Sequence, residues 1–430
     1  MIVFLQILAI LMQAVLLGVI VVTATAGGRQ VIQRYLNPGC WLTFFYTLWF
    51  LIPQFVSITN DNFVIGFPAA TEDDVLQSQW RLVVFLATVL IGLFSTRALF
   101  GSWSILTLQN IRFRGLRRSE HQMLWLFYIS GLIGMTYLAT QLAGTEDFRS
   151  VLVKTPPGMV ATAVGFFGLY AMAVLTGHSL YHRNYPLAIL VVLVLGTAIF
   201  FTAARGRLLW PIVLGVAYVA CRRNRINWTS VACVSVIGIL VLLVFDPVFS
   251  SLRGGLRHFD GKQLAERINP ANIFMLKRNF DGFANFTLIS SVDSLKKQPG
   301  VIMTGARVPF MEHYFPEIFE SGVGFGTTLP GMFWLAGGFR AMAIGGAAYG
   351  ALLAVLTNIF HRIKREPMFW SYAFAMTWLA AVGGNFQESL DKMLALALPG
   401  FVWVALLPLL RMMDPVEPEP DPLSTKLLGS

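Results

Sequence analysis

Apolar runs of about 20 residues recur along almost the whole chain, and they constrain the fold more than any other feature. The chain has 430 residues, of which 56% are hydrophobic and only 13% are charged. A helix of this length crosses a hydrocarbon core of roughly 30 Å. A soluble chain of this size would instead alternate polar and apolar faces along its helices and strands. The sequence therefore predicts an all-α polytopic membrane protein.

The runs predict about eleven transmembrane helices. They fall at about 3–25, 40–58, 80–99, 122–142, 158–177, 186–204, 208–221, 228–248, 330–360, 367–387 and 391–411. The chain then divides into eight helices in 1–248, a large, partly helical loop at 249–326, three helices in 327–411 and a disordered tail at 412–430. The first run lacks a basic start and is longer than the apolar part of a signal peptide, so we expect a retained helix.

Short loops predict the orientation. The loops at 112–118, 221–225 and 361–365 are rich in arginine and fall on one side when the spans alternate. The loop at 60–74 falls on the other side and has no Lys or Arg. The positive-inside rule assigns the basic loops to the cytoplasm. We therefore expect the N-terminus outside and the C-terminus inside.

Arginines on the predicted outer face break the usual charge bias. Arg205 and Arg207 lie in a tight turn, "FFTAARGRLLW", between two apolar runs, and the long outer loop carries Arg253, Arg257 and Arg278. Positive charge beside a bilayer favours an anionic ligand anchored in that bilayer. A lipid-linked pyrophosphate fits, because guanidinium groups bind phosphate through charge-assisted hydrogen bonds. If a sugar is transferred away, the same arginines stabilise the charge on the leaving oxygen.

Each of these arginines also has a structural interpretation. Arginines at helix ends commonly extend to lipid headgroups, and Arg207 would point elsewhere than Arg205 on a helix. Arg253 and Arg257 would share one helical face, but a solvated basic surface fits them equally. Arg278 could form a surface ion pair with Asp281.

Transfer to an acceptor hydroxyl also needs a base. The aromatic-rich stretch "PFMEHYFPEIFE" at 309–320 supplies His313 and Glu312, and Asp281 and Glu388 are further candidates on the outer side. A hydrogen-bonded structural histidine is the alternative interpretation of His313. No DxD, HExxH or P-loop motif accompanies these residues, so we expect no metal and no cofactor.

The run at 326–356 is rich in Gly and Ala and carries Arg340 inside the predicted span. Small residues allow close helix packing. Leu329-Pro330-Gly331 predicts a helix break near the outer surface, where irregular backbone could line a cavity. Arg340 would point into that cavity or extend to the membrane surface.

The layout over about 190–360 resembles the Wzy family of bacterial polysaccharide polymerases. The similarity comprises the "TAARGRLL" turn, a large outer loop with scattered arginines, a "VPF…YFPE" segment and the "TLPGMFW…GG…GG" helix. It implies a GT-C-like fold in the bacterial inner membrane and a periplasmic active site that works without a metal. The enzyme would transfer a growing glycan from undecaprenyl pyrophosphate to the non-reducing end of a lipid-linked repeat unit in lipopolysaccharide biosynthesis. Arg205, and then Arg253, Arg257 and Arg278, would bind the pyrophosphate.

The resemblance also implies partners. Donor and acceptor would both be undecaprenyl-pyrophosphate-linked oligosaccharides in membrane lipid, with a possible chain-length-regulating co-polymerase and no nucleic acid. An O-antigen ligase that transfers glycan to lipid A–core is the nearest alternative. A transporter of lipid-linked oligosaccharide and a non-catalytic assembly subunit remain further alternatives, although transporters usually carry charge near the midplane and internal repeats.

Overall fold

The computed structural model describes residues 2–25, 37–59, 71–100, 116–142, 155–201, 206–223, 225, 229, 282–291, 328–362, 366–379 and 386–413. Within these ranges no residue belongs to a β-strand, which confirms the all-α prediction for the described part of the chain. Apart from Thr229, the predicted helix at 228–248 lies outside the described residues, as does the predicted tail beyond residue 413.

Twelve α-helices are described. They are α1 (Ile2–Thr25), α2 (Pro38–Tyr46), α3 (Ile52–Thr59), α4 (Glu72–Phe100), α5 (Arg118–Leu142), α6 (Pro156–Tyr181), α7 (Tyr185–Phe201), α8 (Gly206–Arg223), α9 (Gly282–Ser291), α10 (Leu329–Arg362), α11 (Glu366–Leu379) and α12 (Phe386–Met413). A single π-helical turn, Thr47–Leu51, joins α2 to α3.

Six of the described helices are long and apolar enough to cross a membrane, namely α1, α4, α5, α6, α10 and α12. Shorter apolar stretches lie in α7 and α8. Membrane-spanning character is therefore established by length and composition, whereas the count of eleven and the GT-C-like arrangement stay predictions.

The helices pack into two groups, each with its own apolar core. One core is formed by α1, α2, the π turn, α4, α9 and α10, with Phe85, Phe283 and Phe286 fully buried. The other is formed by α5 to α8, α11 and α12 around Trp370 and Trp403. Both groups bury large aromatic side chains, each of which removes about 150–250 Å² from lipid or water.

Packing contacts give the relative directions of the helices. A Cβ at Gly346 of α10 would meet Phe85 of α4, and one at Gly350 would meet Val89, so α4 and α10 run parallel. A Cβ at Gly177 of α6 would likewise meet Tyr218 of α8, and α6 and α8 also run parallel. A Cβ at Gly131 of α5 would meet Gly168 of α6, and one at Gly134 would meet Ala161, so α5 and α6 run antiparallel.

One end of the bundle adjoins the arginine-rich loops, and we name it the basic end. It holds the last residues of α4, α6, α8, α10 and α12 and the first residues of α5 and α11. Ser119 donates a hydrogen bond to the carbonyl of Leu410 there, at 3.0 Å. The first residues of α4, α6, α8 and α10 lie at the opposite end.

The predicted helix break at Leu329-Pro330-Gly331 is wrong. Proline is compatible with the first turn of a helix, where its missing N–H would have no partner, and Thr328 caps α10 by accepting from the Gly331 N–H at 3.2 Å. The break lies instead at Gly337, with φ −179° and ψ 26°, and Gly338, with φ 65° and ψ −143°. The positive φ of Gly338 explains the need for glycine there.

Candidate functional site

Most residues of the predicted site lie outside the described part of the chain. These are Arg205, Arg253, Arg257, Arg278, Asp281, Glu312 and His313. Arg207 and Glu388 belong to described helices, α8 and α12, but only their backbone is described. Arg340 is the one predicted site residue whose side-chain exposure is described.

The start of α8 lies at the end opposite the basic loops. Gly206 is the first residue of α8, and α8 runs parallel to α6, whose last turn is at the basic end. Arg207 follows in the first turn of α8. The "AARGR" turn is therefore attached to a helix start, where the partial positive charge of the helix dipole also favours an anion.

Arg340 is exposed on α10 and lies just after the Gly337–Gly338 break. It belongs to the interior of Leu329–Ile359, the stretch that is long and apolar enough to cross a membrane. Its neighbour Phe339 is also exposed. An exposed arginine this far into an apolar helix is costly in lipid, so it is a functional candidate by default.

The outer loop predicted at 249–326 contains a buried helix. Nine of the ten residues of α9 are buried, and Phe283, Phe286 and Ile289 have no exposed surface. At its start, a Cβ on Gly282 would lie 2.8 Å from the carbonyl oxygen of Trp49 in the π turn. Helix α9 therefore inserts into the bundle rather than lying on its surface.

Arg81 of α4 holds the other end of α9. Its Nη1 donates to the carbonyl oxygen of Ser290 at 2.7 Å, and its Nη2 donates to Oε1 of Gln77 at 2.7 Å. The guanidinium also lies 4.3 Å from the ring centroid of Trp334 in α10. The hydroxyls of Ser78 and Ser290 are 2.7 Å apart. One arginine thus joins α4, α9 and α10, and a cation at a helix C-terminus is favourable.

We predict that Arg81→Met lowers the stability of the folded protein by about 1–3 kcal/mol, because the Ser290 carbonyl loses its partner in a buried setting. Thermal unfolding in detergent, followed by tryptophan fluorescence, measures the loss. Arg411→Met is the matched control, since Arg411 is exposed on α12. Equal melting temperatures for the Arg81→Met and wild-type proteins would contradict the role of this contact.

Buried amides join the helices around α9. Gln13 of α1 donates to Oε1 of Gln54 at 2.8 Å and to the carbonyl of Gln79 at 3.2 Å, and it accepts from the Tyr46 hydroxyl at 2.9 Å. All four side chains have no exposed surface. Such hydrogen bonds hold membrane helices together where lipid offers no alternative partner.

The sequence alone gave no signal for Arg81 or for the buried amides. A single arginine near a helix end commonly extends its side chain to the lipid headgroups, so Arg81 was not distinctive. The four amide and hydroxyl residues lie in or beside three separate apolar runs, and only the folded bundle brings them together. Within the described ranges, no three His, Cys, Asp or Glu side chains are grouped to hold a metal ion.

The buried helix α9 can hold the loop predicted at 249–326 against the membrane bundle. The arginine-rich turn before α8 and the stretches on both sides of α9 lie within the region of about 190–360 that carries the "TAARGRLL" and "TLPGMFW" patterns. Comparison of the chain with protein-family models, curated proteins and solved structures finds no match.

Proposed function

We propose that the protein is a membrane polysaccharide polymerase that acts on undecaprenyl-pyrophosphate-linked oligosaccharides. The observation that carries the proposal is helix α9. It is buried between α4, α10 and the π turn, and it divides the arginine-rich loop into two stretches. Arg278 and Asp281 come just before α9 in the chain, and Glu312 and His313 come after it. An active site formed by a loop requires that the loop be held in place. A buried helix between two stretches of candidate catalytic residues would hold it.

The proposed reaction transfers the growing glycan from its carrier. The acceptor hydroxyl attacks the anomeric carbon, and His313 or Glu312 takes the hydroxyl proton. The bond between the anomeric carbon and the pyrophosphate oxygen breaks, and the pyrophosphate leaves with the electron pair. Arg205, with Arg253, Arg257 and Arg278, would stabilise that charge, with Arg207 and Arg340 as further cationic candidates.

Reconstitution tests this function. The purified protein is placed in liposomes with one lipid-linked repeat unit and EDTA, and the glycan products are separated on a gel. We expect a ladder of lengthening chains that EDTA does not diminish, because arginines rather than a metal stabilise the leaving group. Arg225→Ala, an exposed arginine beyond α8 at the basic end, is the control variant and should leave the ladder unchanged.

Other products would assign a different activity. Transfer that occurs only after lipid A–core is added would identify a ligase. Accumulation of intact lipid-linked oligosaccharide on the other side of the liposome membrane would identify a transporter. Either result would replace the proposed polymerase activity.

A further inference from the structure

A buried carboxyl group lies at the basic end, away from the proposed active site. Glu366 is the first residue of α11 and is only 8% exposed. Its Oε1 is fully buried and has no hydrogen-bond partner among the residues that the structure describes. A buried carboxylate is unfavourable unless it is paired and hydrogen-bonded, so this oxygen marks a place for a proton.

The groups around Glu366 come from four helices. Arg222 and Tyr218 of α8 and Trp370 of α11 favour its charged form, whereas Glu120 of α5 disfavours it. Tyr170 of α6 also faces the carboxyl group. Burial is the largest influence, and it raises the pKa of Glu366 from 4.5 to about 7. The start of a helix favours a negative charge, but burial outweighs this effect here.

Glu366 belongs to a cluster of charged and aromatic side chains. The Nη1 of Arg222 donates to the Tyr218 hydroxyl at 3.2 Å, and the guanidinium lies 4.3 Å from the ring of Tyr181. Arg222 also interacts electrostatically with both Glu366 and His178. The ring centroid of His178 is 4.4 Å from that of His182, which is exposed. The buried acid therefore lies in a group of titratable residues at the basic end.

His178 is a partly buried member of this cluster. Its Nδ1 is buried and has no hydrogen-bond partner within the described ranges. Imidazole can accept a proton on one nitrogen and release one from the other. Its second neighbour, His121 of α5, has a ring centroid 5.7 Å away.

We propose that Glu366 is a proton-binding site that exchanges one proton with solvent at the basic end. A proton from water forms an O–H bond on the Glu366 carboxylate, and release returns that proton to water. The proposal is independent of the polymerase function, because Glu366 lies at the end of the bundle away from the start of α8.

Proton binding would change how α11 meets α8. In the charged form, Glu366 attracts Arg222 and so joins the first turn of α11 to the last turn of α8. In the protonated form that attraction is lost, and the carboxylic acid becomes a hydrogen-bond donor. The site thus gives the basic end two charge states at neutral pH.

Infrared difference spectroscopy of the reconstituted protein tests the proposal. We expect a protonated carboxyl band that disappears with a midpoint near pH 7 as pH rises. Glu366→Gln should abolish this band, and Glu120→Gln, which removes the nearby acid of α5, should retain it. Isotopic labelling of glutamate in the wild-type protein should shift the band, which tests the group without any substitution. A band that persists in Glu366→Gln, or no titrating glutamate band near neutral pH, would overturn the proposal.

Stability against pH gives a second readout. The folded protein binds the proton more tightly than the unfolded chain, so this stabilisation is fully present below pH 4.5 and is lost as pH rises through about 7. The melting temperature of the wild type relative to Glu366→Gln should therefore fall between these values and level off above them. A constant difference across this range would overturn the assignment.

Discussion

Arg205→Ala is expected to abolish glycan elongation while leaving expression and membrane insertion intact. Arg205 precedes Gly206, the first residue of α8, in a turn between two apolar runs. If it binds the departing pyrophosphate, its loss removes a charge-assisted hydrogen bond made mainly in the transition state. Removing one such donor commonly lowers kcat by about 10²–10³-fold. The ladder assay with the lipid-linked repeat unit measures the loss.

Two companion variants separate binding from bulk charge. Arg205→Lys should restore only part of the activity, because lysine keeps the charge but lacks the planar fork of guanidinium. Arg225→Ala removes one exposed positive charge at the basic end and should retain full activity. If the Arg205→Ala protein produced the same product ladder as the wild type, this turn would not be a pyrophosphate-binding site.

The positions of the long helices could be predicted from the sequence, but some boundaries could not. The predicted span at 80–99 begins at Glu72 in the structure. Its first turn is acidic and is capped by reciprocal contacts between Thr71 and Asp74, with Thr71 N–H to Asp74 Oδ2 at 2.9 Å. Hydrophobicity marks the part of a helix that lies in lipid, whereas capping and the helix dipole extend it beyond the membrane.

Helix α9 could not be predicted as a buried element. Its sequence, "GFANFTLISS", is too short to span a membrane and lies inside a charged loop. Its burial depends on Arg81 and Trp334, which are far from it in the sequence. A local pattern indicates the length and polarity of a segment, but it does not indicate which distant side chains will cover that segment in the folded protein.

The candidate site shows the same limit of reasoning from sequence. The charge pattern identified Arg205 and the loop arginines as unusual for an outer face, because the positive-inside rule gives a clear expectation there. It gave no signal for Glu366. Glu366 gained its significance only when folding placed it beside Arg222 and buried its Oε1.

The contact between α4 and α10 depends on glycine, and Gly350→Ala is expected to disrupt it. A Cβ on Gly350 would lie 1.9 Å from the carbonyl oxygen of Val89, and one on Gly92 would lie 1.8 Å from that of Ala347. Both atoms belong to helix backbones, which cannot rotate away as a side chain can. The helices must therefore separate, and overpacking of this kind costs about 1–3 kcal/mol or more.

Gly18→Ala provides the matched control for this contact. Gly18 lies on α1, and a Cβ there would meet no described atom within 4 Å. Size-exclusion chromatography in detergent and the melting temperature should show loss of folded protein for Gly350→Ala and no change for Gly18→Ala. Because α10 also carries Trp334, separation of α4 from α10 should release Arg81 and with it the end of α9. Equal behaviour of the two variants would show that α4 and α10 do not pack through these glycines.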